Sequence, residues 1–123
     1  MDYDGNSFQS RWKRGQLKIR AMQMEDNTLG LLKIVLDAAV SNGQFKMCWD
    51  LREFKNPSIS QWFTILSFVN THAAMLDKHT NKLGLLVSPR IQRLVTYAIR
   101  LSPPSCPYAI SSDWKEIKFF MQD

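Results

Sequence analysis

Residues 45–51 read Phe-Lys-Met-Cys-Trp-Asp-Leu, and this stretch decides the fold. Its nearly continuous apolar character predicts a strand that is buried on both faces, as strands of parallel sheets are. A polar turn follows, and then a Ser-Ile-Ser-Gln capping box at 58–61 marks the start of a long helix. That helix is predicted to run to about residue 79 and to pack on the core through apolar residues at helical spacing. These residues are Ile59, Trp62, Phe63, Leu66, Val69, Ala73 and Leu76.

The rest of the chain alternates strands and helices around this junction. Before it, residues 8–21 alternate apolar and basic side chains about a turn and predict a hairpin, and residues 28–40 predict a helix. After it come a strand at 83–87, a helix that begins at Ser88-Pro89, a short strand at 108–110 and a last helix from Asp113. This order predicts one α/β domain, 1–123, whose first six residues form a loose tail. The expected sheet is mixed and mostly parallel, with about five strands, an antiparallel edge hairpin and about four helices.

The composition is that of an ordinary globular domain. The 123 residues are 45% hydrophobic and 22% charged, with a net charge of +5 that admits an anionic partner without requiring one. Cys48 lies in the apolar strand and Cys106 in a proline-rich loop, so a disulfide framework is not predicted. No signal peptide and no membrane-spanning stretch is recognisable, and we therefore expect a cytoplasmic protein that does not insert into a membrane.

Motifs for catalysis or cofactor binding are missing from the sequence. His72 and His79 are seven residues apart, whereas a metal pair on a helix requires spacing nearer four and a third ligand. There is no glycine-rich phosphate loop, no nucleophile elbow and no zinc-protease motif. The sequence predicts no metal, no cofactor and no enzymatic activity.

Two carboxylates, Asp50 and Glu53, lie at the end of the buried strand, and a pair of carboxylates there could act as a general acid and base. An ion pair with a nearby cation is the favoured interpretation of both. The cations within reach are Arg52, Lys55 and Arg90.

Polar residues gather where two predicted parallel strands end, which is the edge at which open α/β sheets bind ligands. Two helices begin there, and their free amides, hydroxyls and an arginine could hold an anion or bind a partner. Each serine alone is an ordinary helix cap, and only the convergence favours a function. We call these seven residues the strand-end rim: Asp50, Arg52, Glu53, Ser58, Ser60, Ser88 and Arg90.

The hairpin has a basic face formed by Arg11, Lys13, Lys18 and Arg20. Nucleic-acid binding through this face is one interpretation. A solvated face of an edge hairpin explains it equally well, because charged side chains on edge strands also discourage aggregation, and this second interpretation is preferred.

The order and spacing of the elements resemble the STAS superfamily of sulphate-transporter and anti-sigma-factor-antagonist domains, in particular its stand-alone antagonist-like branch. The resemblance extends from about Phe8 to Phe120. It rests on the residues Cys-Trp-Asp-Leu-Arg at 48–52, Pro-Ser at 57–58, Leu-Leu-Val-Ser at 85–88 and Ser-Asp-Trp-Lys-Glu at 112–116.

This resemblance implies a non-enzymatic switch or scaffold that docks a partner protein through the strand end and the long helix. Some members of the family are controlled by phosphorylation of a serine at that helix start. The family's usual Asp-Ser-Ser/Thr-Gly run is replaced here by Asn-Pro-Ser-Ile-Ser at 56–60, so the resemblance leaves Ser58 or Ser60 as candidate phosphorylation sites. An anion, a nucleotide or a lipid-like molecule is the alternative ligand, and a homodimer is left open.

Overall fold

The computed structural model describes residues 2–101 and 103–122, so residues 1, 102 and 123 of the predicted domain lie outside it. Six strands form one sheet in chain order; β1 and β2 are antiparallel, as are β2 and β3, and the later pairs are parallel. The strands are β1 Tyr3–Asp4, β2 Phe8–Lys13, β3 Gln16–Ala21, β4 Phe45–Asp50, β5 Thr80–Leu86 and β6 Tyr108–Ser111. The helices are α1 Thr28–Val40, α2 Ile59–His79, α3 Pro89–Leu101 and α4 Trp114–Met121. The predicted α/β fold with a mixed, mostly parallel sheet is confirmed.

The extra strand lies in the segment that was predicted to be a loose tail. Tyr3 and Asp4 pair with β2, the Tyr3 ring packs on Phe8 with centroids 4.7 Å apart, and Asp4 accepts a 2.6 Å bond from Arg11. A strand of two residues is too short to show alternation, so the prediction of a tail was wrong at these positions.

The main core lies between helix α1 and the face of the sheet that the hairpin and β4 form. Phe8, Leu17 and Ile19 are almost fully buried there, and Leu36 and Ala39 of α1 cover them. In β4, residues on both faces are buried, which confirms the central prediction of the sequence: Phe45, Met47, Cys48 and Asp50.

Helix α4 covers the opposite face of the sheet, and a glycine in β5 lets it approach closely. A Cβ atom at Gly84 would lie 2.9 Å from the Met121 sulfur and 3.2 Å from a methyl carbon of Ile117. Two strand lysines hold the end of α4: Lys82 Nζ donates to the Phe120 carbonyl at 2.8 Å, and Lys46 Nζ donates to the Met121 carbonyl at 3.1 Å. These positive charges lie where the helix dipole favours them.

Helix α2 does not have the buried face that its periodicity predicted, because none of its residues is buried. Trp62 and Leu76 are half-buried, but the four residues of its outer face are open to solvent. The exposed fractions are 77% for Ile59, 68% for Phe63 and 47% each for Leu66 and Val69. The main core is already closed by α1, and α2 reaches it with residues such as Phe68 and Leu76. The predicted core role of the outer residues was therefore wrong.

Helix α3 is also only partly covered. Ile91 is buried, but Leu94, Tyr97 and Leu101 are more than half exposed. Both α2 and α3 start at the carboxyl edge of the sheet, and beyond α3 the Ser105 amide donates a 2.7 Å bond to Asp77 near the end of α2. Each helix connects two neighbouring parallel strands, and the right-handed crossover that such connections take places both helices on the same side of the sheet. Within the part of the chain that the structure describes, no helix has the length and hydropathy needed to cross a bilayer.

Candidate functional site: the strand-end rim and helix α2

The parallel register brings the ends of β4, β5 and β6 to one edge. Asp50 is paired with Leu86, the Leu51 amide donates to the Leu86 carbonyl at 2.7 Å, and the Val87 amide donates to the Ser111 carbonyl at 3.0 Å. Ser88 follows Val87 directly, so it lies at the same edge as Asp50. The structure thus brings the two strand ends of the predicted rim together.

Asp50 and Arg52 form a closed ion pair at this edge. The Arg52 side chain donates to both carboxylate oxygens at 3.0 and 2.9 Å, and its backbone amide donates to one of them at 3.1 Å. Burial by itself would raise the pKa of Asp50, but the hydrogen bonds from Arg52, with its charge and that of Lys18, hold the pKa below the ordinary value. Asp50 is therefore ionised and paired with Arg52, which confirms the predicted ion pair.

Glu53 has a different partner from the ones that the sequence suggested. Its carboxylate binds the guanidinium of Arg20 in β3, and the exposed fractions of the two side chains are 61% for Glu53 and 43% for Arg20. Lys55 is engaged through its backbone amide, which donates to the Met22 carbonyl at 2.9 Å. Glu53 and Arg20 are 33 positions apart, so the pairing depends on the sheet register and could not be read from local spacing.

Ser58 and Ser60 lie at the exposed start of α2. The predicted capping box is confirmed: the Ser58 amide donates to the Gln61 side chain at 2.8 Å, and the Gln61 amide donates to Ser58 Oγ at 3.2 Å. The hydroxyls of Ser58 and Ser60 are 3.2 Å apart. Because these two amides are already satisfied, they are not free to bind an anion. Within residues 2–101 and 103–122, no hydrogen bond joins either serine to the Asp50–Arg52 pair.

Ser88 and Arg90 lie at the start of α3, but Ser88 does not make the hydroxyl cap that the sequence predicted. The Ser88 carbonyl accepts bonds from the amides of Ile91 and Gln92, both at 3.1 Å, while its hydroxyl oxygen is buried without a partner among the described residues. The expected hydroxyl cap is therefore not made. Arg90 is exposed, and no described residue forms an ion pair with it.

The register also places residues beside the rim that sequence reasoning did not assign to it. Lys18 lies opposite Cys48, and its ammonium is 4.2 Å from the centre of the Trp114 ring. Burial raises the pKa of the Cys48 thiol to about 11, so the thiol is neutral and unreactive at neutral pH. Only the pairing of β3 with β4, which no local pattern shows, could have identified this group.

The basic face of the hairpin is partly neutralised. Arg11 is paired with Asp4 and Arg20 with Glu53, which lowers the charge available to a polyanion. Lys18 lies over Trp114, as described above. These contacts favour the interpretation of a solvated face.

A further exposed apolar surface is the outer face of α2, which begins next to the rim residues Ser58 and Ser60. We define this outer face as Ile59, Phe63, Leu66 and Val69. An open depression of about 490 Å³ runs along the neighbouring α3, and Arg93, Tyr97 and Arg100 are among the residues that line it. None of the seven rim residues lines this depression.

Comparison with known proteins identifies the fold. The chain is similar over 99% of both lengths to an uncharacterized protein from Shewanella loihica PV-4, a DUF3478 family protein with a SpoIIAA-like fold. The TM-score is 0.72 and the sequence identity is 11%. No protein-family model matches the chain, and no curated protein matches it. The fold is therefore SpoIIAA-like, the fold of STAS and anti-sigma-factor-antagonist domains.

Proposed function

We propose that this chain, with its SpoIIAA-like fold, is a non-enzymatic, cytoplasmic protein-interaction module. Its contact surface is the outer face of α2 together with the adjoining strand-end rim. The observation that carries this proposal is a helix of 21 residues with no buried residue and four exposed large apolar side chains. A contiguous apolar patch of this kind is typical of an interaction surface.

The chemistry of the rim and of Cys48 in the adjoining strand supports binding and not catalysis. Asp50 is held ionised by Arg52, and the Cys48 thiol is held neutral by burial. A general acid or base needs a pKa near the working pH, and a nucleophile needs activation; these two groups have neither property. The ion pair instead keeps the turn after β4 in a defined shape beside α2.

Phosphorylation of Ser58 or Ser60 is the proposed control. Both residues are exposed at the start of α2, and Ser58 lies five and Ser60 three positions before Phe63. A phosphate there would add about two negative charges where the helix dipole favours them. The added charge would stand beside the apolar outer face and change its affinity for a partner without unfolding the helix.

Affinity purification with mass spectrometry tests the surface. Phe63→Glu should remove the partners that the wild-type chain retains, and Ser58→Asp or Ser60→Asp should weaken them. Ile34→Glu is the matched control, because Ile34 is 66% exposed on α1 and lies outside the proposed surface. Equal recovery of every partner with Phe63→Glu and with Ile34→Glu would show that the outer face of α2 is not the contact.

A lipid-like ligand is the second candidate, because α3 also exposes apolar residues beside α2. Leu94, Tyr97 and Leu101 are 51 to 70% exposed. The anionic alternative is less favoured because the capping box occupies amides of α2. A thermal-shift panel of anions, nucleotides and long-chain lipids separates these cases. Stabilisation that increases with lipid concentration supports the lipid, and no response to any compound at millimolar concentration rejects both ligands.

A further inference from the structure

The exposed side of α2 carries a narrow row of residues that is separate from the half-buried row facing the domain. Five exposed residues recur at alternating steps of four and three: Ile59, Phe63, Leu66, Asn70 and Ala73. We call this row the α2 seam. A strict row at these steps is the seam of a coiled coil, in which Phe63 and Asn70 take one core position and Leu66 and Ala73 the other. The half-buried residues that face the domain form a separate row at Trp62, Ile65, Phe68, His72 and Met75.

The α2 seam has the charge pattern of a helix-to-helix contact. Residues 59–76 contain no Asp, Glu, Lys or Arg. A helix that lies on a lipid surface carries basic residues along its polar face, and α2 has none before Lys78. This favours a partner helix that is equally uncharged, and α2 of another copy meets that condition.

Asn70 points to the way in which two copies would meet. A buried amide needs both a donor and an acceptor opposite it. In a parallel pair related by a two-fold axis, each residue of the α2 seam faces its own equivalent, so the two Asn70 amides can bond to each other. In an antiparallel pair Asn70 would face an apolar residue of the other core position and lose those bonds. A single asparagine at this position is a known means of fixing the register of parallel pairs.

The apolar residues of the α2 seam are open to a partner. The exposed fractions are 77% for Ile59, 68% for Phe63 and 47% for Leu66. The α2 seam covers two heptads, which is short for an isolated coiled coil. Here the domain already holds the helix, so little ordering entropy is lost on association.

We infer that the partner of the outer face of α2 is a second copy of this chain, joined through a parallel α2–α2 contact with Asn70 paired across the two-fold axis. This inference rests on the proposed function, because it assigns the partner of the same surface. It predicts a reversible homodimer with an affinity set by α2.

Sedimentation equilibrium of the full chain from about 1 to 200 µM tests the inference, since dimer content must rise with concentration. The wild type should form dimers, and Leu66→Glu should raise Kd at least tenfold while far-UV circular dichroism stays unchanged. Asn70→Leu should tighten the dimer or produce higher oligomers, because the amide limits stability and specifies the pair. Ile34→Glu should leave the dimer intact.

Disulfide trapping tests the parallel arrangement. In a Cys106→Ser background, Ala73→Cys should link two copies on oxidation, because each new thiol faces its equivalent across the axis. Thr71→Cys, on an exposed side of α2 away from the seam, should not. A chain that remains a monomer over the whole concentration range overturns the inference, as does a dimer that Leu66→Glu does not weaken. The proposed function survives that result if protein partners still depend on Phe63. Leu66-dependent sedimentation of a monomeric chain with phosphatidylcholine–phosphatidylglycerol vesicles would overturn it in favour of a membrane.

Discussion

Replacing Asp50 with asparagine tests whether the closed ion pair at the strand-end rim stabilises the fold. Asp50→Asn keeps the shape of the side chain but removes the charge that receives three hydrogen bonds from Arg52. Hydrogen bonds to charged groups contribute about 1.5–3 kcal/mol each. Because the Arg52 side chain is 45% exposed, water replaces part of the loss. We expect the free energy of unfolding to fall by about 2 kcal/mol, or Tm by roughly 8 °C.

The assay is urea denaturation followed by circular dichroism, with Glu53→Gln as the matched control. Glu53 lies in the same turn, but its side chain is 61% exposed whereas that of Asp50 is 6% exposed, so its loss should cost less than about 1 kcal/mol. If the two variants lose equal stability, or Asp50→Asn loses none, the claim that Asp50 holds this turn is wrong.

The pH dependence of the same pair gives an independent check. The pKa of Asp50 is lower in the folded chain than its ordinary value of 3.8, so the unfolded chain binds the proton more readily. The stabilisation is therefore complete above about pH 5 and disappears as pH falls through the folded pKa. The difference in stability between wild type and Asp50→Asn should stay constant near neutral pH and shrink below pH ~4. A difference that is constant down to pH ~2 would contradict the assignment.

Other predictions concern packing and the thiols. Gly84→Ala should destabilise by about 1–2 kcal/mol, since its Cβ would meet Met121 at 2.9 Å, and thermal unfolding measures this loss. Gly30→Ala is the control: nothing lies within 4 Å of its Cβ in α1, so it should stabilise by about 0.5–1 kcal/mol, and a loss there would contradict the assigned helix. With a thiol reagent at pH ~8, native protein should react slowly at one thiol, the half-buried Cys106, and the buried Cys48 should react only on unfolding. Two equally fast thiols would show that β4 is not enclosed.

Local patterns predicted the elements of this fold well. The apolar run of β4, the capping box at Ser58 and the alternation of the hairpin each depend on neighbouring residues, and the structure has all three. The parallel order followed from the alternation of strands and helices. Asp50 and Arg52 are two positions apart, so their ion pair could also be predicted from the sequence.

The exposure of α2 was not predictable in the same way. Helical periodicity shows that Phe63 and Leu66 share a side with other apolar residues, but it does not show whether the sheet has room for that side. Here α1 already closes the main core, and α2 makes contact through a narrower row that includes Phe68. The ion pair between Arg20 and Glu53 was likewise not predictable. It depends on the pairing of β3 with β4 and not on any spacing along the chain.

The two strand lysines that contact the end of α4 allow the packing of that helix to be followed by chemical modification. The Lys82 ammonium donates hydrogen bonds to the carbonyls of Phe120 and Gln122, and it also lies 4.9 Å from the centre of the Phe120 ring. An amine engaged in this way is a poor nucleophile for acylating reagents, whereas the exposed Lys13 is open to them. Acylation rates at Lys82, measured by mass spectrometry on the wild-type protein, therefore report whether the C-terminal helix is packed on the sheet.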